Sequence, residues 1–172
     1  MPAFKTNRAL YEAAMDVSFY LRSAHLQQLV DEINDPEASD NDRFVCYTHL
    51  QNAVVAAGGQ LPTCQDTGTA IVMAHRGTNI VTDFDEHAAI SEGIYDCYQQ
   101  RNLRYSQIAP LSMFTEKNTG NNLPAQIDIL SEQGDEYELL LLTKGGGSAN
   151  KTYLFQETPA ILPLLLVPLP RS

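Results

Sequence analysis

Residues 61–74 read LPTCQDTGTAIVMA, and how this stretch divides decides the fold. Its second half, TAIVMA (69–74), is a short apolar run that reads as a buried strand. Its first half sets Cys64 between Thr63 and the pair Gln65-Asp66, with Thr67-Gly68 following at a chain reversal. Free cysteine usually behaves as a small buried hydrophobe. A thiol among hydrogen-bonding residues is placed instead to be a metal ligand or a nucleophile. One cysteine does not make a structural zinc site, which needs four ligands at defined spacing.

Upstream the pattern is helical. Leu10, Ala14, Val17, Leu21 and Ala24 recur at three- and four-residue steps, and Leu29, Val30 and Ile33 extend the stripe. Asp35-Pro36 breaks it. A second helix follows the N-cap residues Ser39-Asp40-Asn41, faces inward with Cys46, Leu50, Ala53 and Ala57, and stops at Gly58-Gly59. Downstream, HRGTN reads as a turn into IVTDF, and residues 85 to about 100 return to helix with Ile90, Ile94 and Cys97 on one face. NLRYSQIAP (102–110) reads as a loop closed by proline. PAQIDIL (124–130) alternates Ala125, Ile127 and Ile129 inward as a half-buried strand. Gln133-Gly134-Asp135 then turns the chain into YELLLLT (137–143), which predicts a hairpin. The fold class expected is mixed α and β, an N-terminal helical layer packed on a mixed sheet with functional loops at strand ends.

The 172 residues suit one domain or part of a larger one, and 44% apolar residues suffice for a real core. The net charge is −10, and the four lysines and seven arginines are scattered. A nucleic-acid footprint needs a clustered basic face, so no nucleic-acid partner is expected. One or two well-placed arginines still suffice for a small anion. Three cysteines without close spacing argue against a disulfide framework. No run of the ~18 apolar residues a membrane span requires is present, and the start lacks the apolar core of a signal peptide. No membrane partner is expected. The expected compartment is the reducing cytoplasm, with the mitochondrion as the alternative.

Three further features bear on chemistry. Cys46 with His49, and Cys97 on its own helix, read as core cysteines. In KGGGSANK (144–151), three glycines after an apolar strand suggest close backbone approach or N–H groups presented to an anion. Gly145 through Asn150-Lys151-Thr152 also comes within one residue of a phosphate-loop pattern. A phosphate- or nucleotide-binding module is therefore the alternative from a different class. Arg104, past the end of its helix in NLRYS, has the planar fork that captures a carboxylate.

Read together, CQDTGTA (64–70), NLRYSQIAP (102–110), NTGNNLPAQID (118–128) and KGGGSANKTYLFQET (144–158) closely resemble the N-terminal domain of class I, iron–sulfur fumarate hydratases. The resemblance covers nearly all of residues 8–158. It implies a hydro-lyase of the tricarboxylic acid cycle, acting on fumarate and malate through a 4Fe-4S cluster held by three cysteines. One iron of that cluster has no protein ligand and serves as a Lewis acid at the substrate hydroxyl. By position Cys64 matches the first cluster cysteine. Gln65, Asp66 and Arg104 match residues that bind the dicarboxylate, and Gly147 the backbone position lining the pocket. The full-length family implies a homodimer. Tartrate dehydratases share the cysteine motif and glycine loop, although Ala149-Asn150-Lys151 and NLRYSQIAP favour the fumarase branch.

Departures from the family set further expectations. Cys46 and Cys97 do not match the other two cluster cysteines, and the catalytic base is expected in the family's C-terminal part. From residue 159 the sequence turns to a proline-rich apolar tail, TPAILPLLLVPLPRS from 158 on, with four of the nine prolines in residues 159–172. Such a run neither continues a helix nor sits comfortably exposed. The domain boundary expected is 1–158 for an incomplete fumarase-type domain and 159–172 for the tail. The chain reads as a truncated, inactive fragment of a larger enzyme.

Overall fold

The computed structural model describes residues 3–104, 106–149, 153, 154, 156 and 158. Helices α1 (Ala3–Phe19), α2 (Ser23–Asn34) and α3 (Asp40–Ala57) precede strand β1 (Thr69–Gly77) and helix α4 (Glu86–Gln100). Strands β2 (Ile108–Pro110), β3 (Glu116–Asn118), β4 (Gln126–Glu132) and β5 (Tyr137–Lys144) follow, then a single turn, α5 (Gly146–Ala149). The mixed α and β class expected from sequence is what the chain adopts.

β1 is the centre of the main sheet, whose order is β4-β1-β5. Alternate residues Ala70, Val72 and Ala74 are wholly buried. Ala70 and Val72 pack with Leu10 and Ala14 of α1, Ile90, Ile94, Cys97 and Tyr98 of α4, and Leu141 of β5. Ala125, Ile127 and Ile129 close the same core from the β4 side, as their alternation predicts. α4 begins at an N-cap, the Asp85 carboxylate accepting the Ala88 N–H at 3.0 Å.

The hairpin expected from residues 124–143 does not form. β4 pairs with β1 in parallel and β5 pairs with β1 antiparallel, so β1 lies between them. Crossing two strand spacings covers about 10 Å, within reach of a four-residue link whose span is at most about 18 Å. The link wraps the end of β1. Gly77 N–H donates to Glu136 O at 2.7 Å, Thr78 to Glu132 O at 2.8 Å and Asn79 to Gly134 O at 3.1 Å. A side chain at Gly77 would run into the Gly134 carbonyl, so the wrap depends on that glycine. β1, whose Ala70, Val72 and Ala74 are buried, takes the centre, and strands bearing Gln126, Asp128 and Glu138 take the edges, where polar residues are tolerated.

Two other expectations are corrected. The helical stripe from Leu10 to Ile33 is broken at residues 20–22, because its two halves bury against different partners. Leu10, Ala14 and Phe19 face the sheet core. Leu21 and Leu26 instead line a groove with Leu50, Ala53 and Val54 of α3. α2 and α3 pack mainly on each other, and Ala56 is their one buried residue. α1 and α4 supply the helical layer. Ile108–Pro110, expected as loop, pairs with Glu116–Asn118 as a two-stranded ribbon. α3 starts as predicted at Ser39, in a reciprocal capping box with Asp42, and ends before Gly58.

Candidate functional site

The polar turn before β1 is pinned at both ends. Upstream, the Thr63 N–H and Oγ1 both donate to Ser18 O at the end of α1, at 2.9 and 3.1 Å. Asn52 of α3 donates to Thr63 O at 2.8 Å. Downstream, the Tyr98 hydroxyl donates to Gly68 O at 2.8 Å and lies 3.2 Å from Thr67 O, while Asn122 Nδ2 donates to Gly68 O at 3.1 Å. Burial, with the Cys97 thiol adding to it, pushes the Tyr98 phenol up to about 12. It therefore stays protonated, able to donate, at any physiological pH. Gly68 takes φ +78°, and a Cβ there would lie 2.6 Å from the Lys144 carbonyl carbon. Glycine lets the turn lie against the end of β5.

Between these anchors Cys64 and Gln65 are exposed and Asp66 is half-buried. The thiol donates weakly to Gln65 Oε1 at 3.8 Å. Asp66 is the hub. Its Oδ2 accepts the Gly147 N–H at 3.3 Å, and its Oδ1 lies 3.5 Å from Arg104 Nη1. Arg104 is held by its own N–H donating to Thr67 Oγ1, and by Nε donating to Ser106 Oγ, both at 3.0 Å. Its guanidinium stands between two open cavities. One, of about 410 Å³, is lined by Gly68, Gln107, Asn122, Lys144 and Gly146; the other, of about 550 Å³, by Leu61, Gln65, Thr67 and Asn102. An arginine, a lysine, side-chain amides and an exposed backbone N–H on one rim can bind a small carboxylate.

A family model for fumarate hydratase (fumerase) matches residues 7–164. The chain belongs to that family. Fumarate hydratase class I, aerobic, of Escherichia coli (strain K12) is 56% identical over 151 residues, covering 88% of this chain and 28% of the relative. Fumarate hydratase 1, mitochondrial, of Leishmania major is 52% identical over 147 residues, covering 86% of the chain and 27% of the relative. A putative L(+)-tartrate dehydratase subunit alpha of Methanocaldococcus jannaschii is 27% identical over 160 residues. The chain spans little more than a quarter of the fumarate hydratases it matches.

The fold brings together the residues that the fumarase resemblance singles out: Gln65, Asp66, Arg104 and Gly147, with Cys64 on the same turn. It does not bring the other cysteines to them. Cys97 is fully buried in the core, where desolvation pushes its thiol up to about 11. Cys46 is half-buried on α3. Among the described residues no group of three His, Cys, Asp or Glu side chains is placed to hold a metal ion. The four-iron cluster that the fumarase resemblance implies would need three thiolates; of the three cysteines only Cys64 lies on the site's turn, so the described residues do not fit the whole of it. No described helix is long and apolar enough to cross a membrane.

Reading the sequence missed the supporting residues Thr67, Tyr98 and Asn122. Tyr98 lies four residues beyond Ile94 on the inward stripe of α4, a spacing that points to it. Asn122 sits inside the quoted NTGNNLP motif, but nothing in one sequence marks it as buried or as adopting φ +55°. The phosphate-loop residues Asn150-Lys151-Thr152 lie outside the described residues.

Proposed function

We propose that this chain is the dicarboxylate-binding wall of a class I fumarate hydratase. The whole enzyme would interconvert fumarate and (S)-malate with an iron–sulfur cluster to which Cys64 gives one thiolate. The observation that carries the reading is Asp66 joined to both Arg104 and the Gly147 N–H. Three stretches distant in sequence converge on one carboxylate, so the site already binds that chemical group. Arg104 and the Gly147 N–H would take one substrate carboxylate, and Gln65 and Asp66 would face the rest of the ligand. The homodimer and the cytoplasmic or mitochondrial setting belong to the same proposal. Catalysis is not expected of the 172 residues by themselves, because a single thiolate does not hold a cluster.

Two measurements on this chain test it. Anaerobic reconstitution with iron and sulfide should leave far fewer than four irons per chain and no malate–fumarate turnover. Stoichiometric loading or turnover would overturn the inactivity. Amide chemical shifts at Arg104 and Gly147 should move with malate and stay fixed with ATP and magnesium. The reverse would favour the phosphate-binding alternative.

A further inference from the structure

The two cavities beside Arg104 differ in chemistry. The larger, of about 550 Å³, is walled by Leu61, Pro62 and Leu103 with Gln65 and Asn102, and Arg104 is the one charged residue described in its wall. The smaller, of about 410 Å³, adds Lys144 to Arg104, beside Gln107, Asn118 and Asn122, with no acidic residue among the described ones. The chain has 21 acidic residues against 11 basic, so two cations on an acid-free wall run against its overall charge. Like charges facing one cavity repel, and a bound anion relieves the repulsion. The fold sets both cations from one turn. β5 ends at Lys144, which is paired with Thr69 at the start of β1. Gly68, without a side chain, lets that strand end close on the turn; a Cβ there would lie 2.7 Å from the Lys144 nitrogen. The residue before it holds Arg104, whose N–H donates to Thr67 Oγ1 at 3.0 Å. Lys144 is exposed, and its Nζ donates to Gly145 O at 3.0 Å, which keeps the ammonium beside the glycine loop.

Granted the dicarboxylate-binding wall, on which the assignment rests, we propose that Lys144 is a further carboxylate-binding residue. It shares the smaller cavity with Arg104 and donates with it to one carboxylate, so that cavity, and not the larger one, admits the ligand. The planar fork of Arg104 takes two carboxylate oxygens side by side. An ammonium is a compact charge on a flexible stem and approaches the same group from another side. Gly146 belongs to the same wall, and the next N–H along the loop, that of Gly147, already meets the Asp66 carboxylate at 3.3 Å. In the larger cavity Leu61, Pro62 and Leu103 would stand against the charged group, removing water from it without replacing the lost hydrogen bonds. The smaller cavity offers cations and side-chain amides instead.

The test titrates malate into the full, isotope-labelled 172-residue chain. Amide shifts at Thr69, Ile108 and Asn118, in the smaller cavity, should move together with those at Arg104 and Gly147. Leu61 and Asn102, in the larger one, should stay fixed. Lys144→Met should weaken malate binding by about tenfold, and Lys144→Arg should restore most of it. Both variants should melt with the unchanged chain, because Lys144 is exposed. Shifts confined to Leu61 and Asn102, or unchanged affinity in Lys144→Met, would overturn the proposal. An equal loss in both variants would mean that the strand end needs lysine for its shape, and would overturn it too. Where a variant misfolds, the shift map of the unchanged chain still decides. No malate-dependent shift at Arg104 or Gly147 would instead bring down the dicarboxylate reading itself, and this assignment with it.

Discussion

Asp66 has two carboxylate oxygens and both are engaged within the chain, one by Arg104 and one by the Gly147 N–H. The Arg104 side chain is 57% exposed and the pair is 3.5 Å apart, so the contact is worth at most about 1 kcal/mol. An incoming carboxylate can displace it at small cost. Arg104→Ala should therefore lower stability by less than about 1 kcal/mol while abolishing the malate-dependent shifts at Gly147. A large loss of stability with binding retained would remove Arg104 from the site. Gly68 behaves oppositely. Its left-handed φ and the backbone of Lys144 against it leave no room for a methyl group. Gly68→Ala should cost about 2 kcal/mol or more, lowering the melting temperature by roughly 4–8 °C. The thiols separate as sharply. Cys64 is exposed, whereas Cys97 is buried and its pKa is pushed up to about 11, so a disulfide reagent at pH 8 should modify Cys64 rapidly and Cys97 only on unfolding.

Elements differ in what holds them. α1 and α4 share the buried core, but α2 has no buried residue and α3 only Ala56. The helical pair α2–α3 should therefore open first, and its amides should exchange with solvent well before those of α4. Ser39 Oγ accepts the Asp42 N–H in the α3 cap, so Ser39→Ala should cost about 1 kcal/mol and hasten exchange in α3 alone. This uneven anchoring also explains which elements were legible in the sequence. β1 and α4 announce themselves, since TAIVMA and the Ile90–Ile94–Cys97 stripe face one core. The break at residues 20–22 carries no proline or glycine; it reflects a change of packing partner, which periodicity does not encode. The exchange of a hairpin for a β4-β1-β5 sheet has a similar cause. Gln133-Gly134-Asp135 specifies a reversal, and only competition between strands for the buried centre decides what lies between its arms. The site residues were legible as polar oddities in apolar surroundings. Their supports, Tyr98 and Asn122, act through backbone carbonyls and leave no such mark.

Among the described residues, three acids rest on being neutral. Burial holds the Cys97 thiol up at about 11 instead of 9.0 and the Tyr98 phenol at about 12 instead of 10.0. Tyr137, half-buried beside the Glu86 carboxylate, is also raised to about 12. Each group binds its proton more tightly when the chain is folded. Their contribution is thus complete below about pH 9, and it is lost as the pH climbs through 9–11 for Cys97 and 10–12 for the tyrosines. At about 1.4 kcal/mol per unit, Cys97 and Tyr98, both fully buried, each account for up to about 3 kcal/mol of that loss. The net charge of −10 adds self-repulsion that grows over the same range. Urea midpoints taken from pH 7 to 11 should stay level up to about pH 9 and then fall. Cys97→Ala should start lower and fall less between pH 9 and 11, because the group whose ionisation drives the early part of the decline is gone. An equal slope in the variant would mean that Cys97 is not held neutral by the core, and that charge repulsion alone sets the alkaline limit.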